Sequence, residues 1–71
     1  MNLYELGREY ERRADEVTLR IHTLNSQLKA LSGERRVAMR RRIYLLYQDA
    51  TECRKTARKL KEYYERRKNN G

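Results

Sequence analysis

The sequence predicts an all-α fold, a two-helix antiparallel coiled-coil hairpin that we expect to dimerise into a four-helix bundle. Two series of mostly apolar residues recur at alternating spacings of three and four, which is the heptad pattern of left-handed coiled coils. Ser32-Gly33 separates the two series, and the chain contains no proline that would interrupt either helix. If the chain folds back at Ser32-Gly33, the series meet in these layers: Leu3 with Tyr64, Gly7 with Leu60, Tyr10 with Ala57, Ala14 with Cys53, Val17 with Ala50, Ile21 with Leu46, Leu24 with Ile43, Leu28 with Met39, and Leu31 with Arg36.

The first predicted helix carries its own start signal. Asn2 is a favourable N-cap, and Glu5, three residues later, completes a capping-box pattern. Acidic residues are frequent in the first turns of this segment, where the helix dipole favours anions. We therefore expect the first helix to run over residues 3–31.

The turn is predicted at residues 32–33, because Gly33 can adopt the left-handed conformation that closes a helix. The heptad phase supports a turn at this point, since one continuous helix would need a one-residue skip to connect the first series with the second. The second helix is predicted over residues 34–68, followed by a frayed tail at 69–71. Residues 1–71 are thus expected to form a single domain.

Positions that flank the predicted seam support the same pairing, because an antiparallel coiled coil brings the flanking residues of its helices together. The predicted flanking pairs are Leu6 with Tyr63, Arg20 with Asp49, and Glu11 with Arg54. Large residues oppose small ones towards the chain termini, whereas both partners are large near the turn. The helices should therefore approach more closely at the open end than near the turn.

The net charge of +8 lies on the second helix. Basic and acidic residues balance over residues 1–33, whereas residues 34–71 hold thirteen Lys and Arg against five Asp and Glu. Five of the eight residues at 35–42 are arginines, near a helix start, where the dipole disfavours cations. We name these five residues the arginine cluster: Arg35, Arg36, Arg40, Arg41 and Arg42.

The arginine cluster has three interpretations. Guanidinium groups bind phosphates in bidentate geometry and stack on bases, so the cluster is a candidate nucleic-acid site for the backbone of RNA or DNA. An acidic protein surface is a second possible partner. The third interpretation has no partner: the arginines form a solvated face, and their long stems cover apolar neighbours.

A second apolar face on the second helix predicts an interface. Residues 43–47 are apolar all round the helix, and such a segment is normally buried all round. The simplest partner is a second copy of the chain in a symmetric homodimer, with a different protein and a bare monomer as the alternatives. We name the residues that the seam does not use the apolar patch: Val37, Ala38, Tyr44, Leu45 and Tyr47.

No arrangement of residues in the sequence predicts catalysis. Cys53 lies in the predicted seam opposite Ala14, where a cysteine acts as a small apolar side chain. His22 is the only histidine and has no second His or Cys at a metal-ligand spacing. Glycine-rich phosphate loops, nucleophile elbows and CxxC pairs are missing from the sequence. We expect a non-enzyme with no catalytic residues, no metal, no cofactor and no small-molecule substrate.

The sequence also predicts a cytoplasmic location. The first residues lack the basic segment and apolar run of a signal peptide, and no apolar stretch is long enough to span a bilayer. A single unpaired cysteine fits a reducing compartment. The predicted function is a non-enzymatic helical interaction module with a basic second helix and no membrane partner, and the alternative is nucleic-acid backbone binding.

Overall fold

Two helices packed side by side make up the described chain. The computed structural model describes residues 1–70, with side chains for residues 1–68. Helix α1 is Leu3–Leu28 and helix α2 is Gly33–Asn70. The molecule measures 58 × 14 × 14 Å. At 1.5 Å per residue the 38 residues of α2 account for this length, so α1 lies along α2 as an antiparallel arm. The all-α hairpin is confirmed.

Asn2 is the N-cap of α1, as the sequence predicts. Asn2 adopts an extended conformation, and its Oδ1 accepts a hydrogen bond of 2.8 Å from the backbone N–H of Glu5. The carbonyl oxygen of Asn2 also accepts from the N–H of Leu6 at 3.0 Å. These contacts satisfy donors that the first turn of a helix leaves without partners.

The connection between the helices is longer than predicted. Helix α1 ends at Leu28, three residues before the expected end at 31, and α2 begins at Gly33. The N–H groups of Ala30 and Leu31 donate to carbonyls only three residues back, at 3.1 Å each, so the last turn tightens and α1 cannot continue. Gly33 has a φ of 60°. This is the left-handed conformation expected of it.

The far end of α2 also differs from the prediction. The helical backbone continues through Asn70, two residues beyond the expected end at 68. The predicted frayed tail at 69–71 is therefore helical in backbone as far as residue 70, and Gly71 lies outside the described residues. A helix end has no sharp sequence signal where polar residues follow one another without Gly or Pro, which explains the difference.

The core is a narrow band of small side chains. Ala14, Ala50 and Cys53 form its centre, with exposed fractions of 0%, 1% and 5%, and Tyr10 and Val17 pack against them. These are the residues that the heptad layers bring together. Ala57 and Leu24 are also buried, while every large side chain of residues 1–68 keeps some exposure to solvent. The core is thus as thin as a two-helix seam implies.

The two helices lie close together at Gly7. A Cβ atom placed on Gly7 would lie 3.1 Å from the carbonyl oxygen of Ala57, 3.1 Å from Cγ of Lys61 and 3.6 Å from Cβ of Leu60. The contact with Leu60 is the predicted layer. Because Gly7 presents no side chain, the helices come together at the open end, where small residues line the seam.

Ion pairs flank the seam at the predicted positions but join different partners. Asp49 pairs with Arg13 at 3.7 Å, and not with Arg20 as expected. The guanidinium of Arg54 lies 3.8 Å from the carboxylate of Asp15 and donates to the hydroxyl of Thr18 at 2.8 Å. The expected partner of Arg54, the carboxylate of Glu11, pairs with Lys61 instead. Long side chains lean along the helix axis, so they connect adjacent layers.

Candidate interaction surfaces

The hairpin divides into two halves of different charge. We name residues 18–48 the turn half and the rest of the chain the open half. The turn half holds seven Lys and Arg and one acidic residue, Glu34, so its net charge is +6. The open half holds eleven basic and nine acidic residues, a net charge of +2. Most of the excess positive charge therefore lies on the part of the molecule that contains the turn.

The side chains of the arginine cluster are exposed and form no ion pair within the described part of the hairpin. All five are exposed. The five ion pairs within 4.0 Å among the described side chains all have both partners in the open half, so none involves the cluster. Consecutive helical residues differ by about 100° in direction, so Arg40, Arg41 and Arg42 spread round α2. The cluster makes a basic tip rather than one basic face.

The apolar patch is exposed, as the heptad pattern predicts. Val37, Tyr44, Leu45 and Tyr47 have exposed fractions of 69%, 60%, 55% and 63%, and Ala38 is exposed with them. The phenolic oxygen of Tyr44 accepts a hydrogen bond of 3.0 Å from the side-chain amide of Gln48 one turn later. Groups of exposed large apolar side chains are a common feature of interaction surfaces.

Two shallow hollows follow one another along this surface of α2. The first is lined by Gly33, Glu34, Val37, Ala38 and Arg41. The second is lined by Tyr44, Tyr47, Gln48, Thr51, Glu52 and Lys55. The positions recur at spacings of three and four, so both hollows lie on the side of α2 that faces away from α1. The sequence interpretation missed the second hollow because four of its six residues are polar and carry no hydrophobic signal.

Tyr4 and Tyr64 pack against each other at the open end of the hairpin and are not part of the apolar patch. The rings of Tyr4 and Tyr64 are 5.7 Å apart at an angle of 48°, and the ammonium of Lys61 lies 5.2 Å from the centroid of Tyr4. Tilted aromatic pairs and cation–π contacts of this kind stabilise packing. Tyr63 is not part of this group and is 59% exposed.

The chemically reactive residues lie apart from one another. Cys53 is a free thiol buried beside Ala14, and His22 is exposed on α1. Within the described residues, no three His, Cys, Asp or Glu side chains gather in a way that would hold a metal ion. Neither described helix has both the length and the apolar character needed to cross a bilayer.

Chemically, the surface of α2 offers two things to a partner: a row of apolar and aromatic side chains, and guanidinium groups that make no ion pair within 4.0 Å among the described side chains. No protein-family model matches the chain, and the searches of curated proteins and of solved structures give no match either.

Proposed function

We propose that this chain is a non-enzymatic helical interaction module that self-associates through the apolar patch, so that two hairpins form a four-helix assembly. The observation that carries the proposal is the exposure of Val37, Tyr44, Leu45 and Tyr47, each more than half accessible to solvent. Burying one such side chain contributes about 1.5–3 kcal/mol. A second copy supplies a matching surface by symmetry.

The thin seam of the hairpin supports the same proposal. Ordering a residue costs roughly 1.5 kcal/mol, and small scaffolds of this length usually need an additional source of stability. The chain contains a single cysteine, so an intramolecular disulfide cannot supply it. Among the side chains of residues 1–68, the buried apolar ones are three alanines, one cysteine and one leucine. Burial of the apolar patch against a second copy would enlarge this core.

Light scattering of the purified chain tests the proposal. We expect a mass of twice 8.7 kDa for the unchanged protein. Replacing Tyr44 and Leu45 by glutamate places four carboxylates in the interface of a dimer, so the double variant should be monomeric while circular dichroism still reports helix. Leu19→Glu is the matched control, because Leu19 is 68% exposed on α1, away from the patch. An unchanged mass for the double variant would refute the patch as the self-interface.

Nucleic-acid backbone binding by the arginine cluster is the second candidate function. The observation that favours it is the set of five exposed arginines without ion-pair partners among the described side chains. Phosphates are the natural ligands of free guanidinium groups, and each phosphate contact releases counterions. Affinity for RNA or DNA should therefore fall with salt at a log–log slope of about −0.7 to −0.9 per phosphate contacted.

Titration of labelled RNA and of duplex DNA at two salt concentrations tests this candidate. Changing all five cluster arginines to glutamine should abolish binding. The matched control changes five other exposed basic residues of α2 to glutamine and removes the same charge: Arg58, Lys59, Arg66, Arg67 and Lys68. If both variants lose affinity equally, binding reflects net charge and not the cluster. Absence of binding at low salt removes the candidate.

A further inference from the structure

The outer face of α2 carries a charge pattern that distinguishes between ways of docking a second copy. This inference rests on the self-association proposed above. The face is a single stripe that joins the two hollows. Thr51 in this stripe is half-buried, and its other residues are exposed. The stripe consists of Glu34, Val37, Ala38, Arg41, Tyr44, Leu45, Gln48, Thr51, Glu52 and Lys55.

Helix α1 adds no apolar surface beside this stripe. Beside the stripe, the α1 residues that flank the seam on the Tyr47 side are polar, and two of their side chains are engaged within the hairpin. Thr18 donates to the carbonyl of Ala14 at 2.8 Å and accepts from Arg54, and Glu11 pairs with Lys61. An apolar contact between copies that uses this stripe is therefore made by α2 on α2.

The register with the greatest apolar overlap brings the arginines together. In that antiparallel register Val37 and Ala38 lie against Tyr44 and Leu45 of the second copy. A two-fold axis then passes beside position 41, and each of the three arginines at 40–42 faces its own equivalent. The centres of the two arginine clusters would be only ~8 Å apart along the axis, from the helical rise. This equals about one Debye length at physiological salt, so repulsion is poorly screened.

A slide of one heptad replaces these like-charge contacts by favourable ones. The two-fold axis then passes between positions 44 and 45, and the first hollow of each copy covers the second hollow of the other. The cluster centres move to ~18 Å apart along the axis, about two Debye lengths. The facing pairs become Tyr44 with Tyr44, Leu45 with Leu45, Glu34 with Lys55, Arg42 with Asp49, Arg40 with Tyr47, and Arg41 with Gln48 and, one turn along, Glu52.

We propose that two copies dock through α2 in this second register, with Tyr44 and Leu45 on the two-fold axis. The second copy is the occupant because the stripe complements itself. A two-fold rotation brings Glu34 of each copy to Lys55 of the other, and Arg41 of each copy towards Glu52 of the other. The four helices lie in a row, with the two α2 helices in the centre and each α1 outside. This arrangement is a layer and not the closed four-helix bundle that the sequence suggests.

A distance measurement between spin labels tests the register. Lys59 is exposed and lies beyond the overlap of residues 34–55, so it can be changed to cysteine and labelled in a Cys53→Ala background. The rise of 1.5 Å per residue sets the axial separation of the two labels at ~44 Å for the proposed register and ~54 Å for the register centred on Arg41. A parallel pair of helices would place the labels side by side.

Each outcome of this measurement decides one proposal. A dimer with labels near ~44 Å, the separation that the helical rise gives for the proposed register, supports that register. A dimer with another separation overturns the register and leaves self-association standing. A chain that light scattering shows to be monomeric overturns both, and a monomer that binds RNA assigns the surface to nucleic acid instead.

Charge reversal gives an independent readout. Lys55→Glu should weaken dimerisation about tenfold, because two exposed ion pairs are lost by symmetry and like charges replace them. Adding Glu34→Lys should recover most of the affinity. Lys59→Glu is the matched control, since it makes the same charge change outside the overlap and should leave the affinity unchanged. Equal losses for Lys55→Glu and Lys59→Glu, or no recovery in the double variant, would overturn the pairing.

Discussion

The two helices pack differently in the open half and in the turn half of this hairpin. In the open half, Gly7, Ala14, Ala50, Cys53 and Ala57 are buried, and ion pairs connect the flanks. In the turn half Leu24 alone is buried, and five large apolar side chains are exposed against three in the described part of the open half. The comparison shows that a regular heptad repeat does not imply uniform packing: small residues fill the seam in the open half, whereas the turn half carries large apolar side chains outside the seam.

The two halves also differ in electrostatics. Nine acidic residues accompany eleven basic ones in the open half, whereas one accompanies seven in the turn half. Exposed ion pairs each contribute roughly 0.2–1 kcal/mol, so those of the open half adjust alignment more than stability. The turn half has uncompensated repulsion, which a partner or salt would relieve. We therefore expect the turn half to be the less stable part of an isolated hairpin.

The largest expected effect concerns Leu24, the one buried leucine of the turn half, which is 7% exposed. Leu24→Ala should lower the free energy of unfolding by about 2–3 kcal/mol, since it removes apolar contact and leaves a cavity. Urea unfolding followed by circular dichroism measures this. Leu19→Ala, at an exposed position of the same helix, is the control and should change stability by no more than about 0.5 kcal/mol. Equal effects would mean that the turn half is not packed against α2.

Overpacking the open half should have the next largest effect. Ala14 is fully buried in the cluster with Ala50 and Cys53. Ala14→Leu should therefore destabilise the hairpin by about 1–3 kcal/mol, because the added atoms have no space between close helices. Ala30→Leu makes the same change at an exposed position of the turn half outside the apolar patch and should leave the unfolding midpoint in urea nearly unchanged. A tolerated leucine at 14 would contradict the close approach of the helices.

The turn itself supplies a prediction about backbone conformation. Gly33 has a φ of 60°, and a Cβ atom placed on it would meet no atom within 4 Å. Gly33→Ala should therefore lower the unfolding free energy by about 1–2 kcal/mol through the left-handed conformation alone. Gly33→Asn should lose less, because asparagine tolerates this region. Thermal melts of the two variants measure the difference, and an alanine variant as stable as the parent would place the turn elsewhere.

The smallest expected effect is the change in local stability of the two halves with salt concentration. Raising the ionic strength screens the repulsion within the turn half and weakens the ion pairs of the open half. Backbone amides near Arg40 should gain protection from hydrogen exchange, by a few tenths of a kcal/mol, while those near Lys61 should lose a similar amount. A uniform response along the chain would remove the electrostatic distinction between the halves.

Much of this fold can be read from the spacing of apolar residues. The layers around Ala14 and Cys53 follow from the heptad phase, because side chains in a seam have fixed directions. The end of α1 cannot be predicted from the heptad phase. The apolar spacing continues to Leu31, although the backbone changes its hydrogen bonding after Leu28. Ion-pair partners are equally hard to predict, since a flexible Arg or Lys reaches carboxylates one turn away as easily as those directly opposite.

The candidate surfaces are predictable to a similar degree. The exposure of Tyr44 and Leu45 follows from their positions outside the seam. The extension of the patch through Gln48 to Lys55 does not follow from hydrophobicity, because these residues are polar. The geometry of α2 reveals the extension, since it places polar and apolar residues on one continuous surface.

Burial of Cys53 between the helices makes the thiol a natural sensor of helix separation. The side chain is 5% exposed and packs with Ala14 and Ala50, so a water-borne alkylating reagent reaches the sulfur only while the arms are parted. The rate of alkylation then follows the population of opened molecules. The rate at which the helices separate and close can thus be followed on the unaltered sequence, by measuring Cys53 alkylation with mass spectrometry.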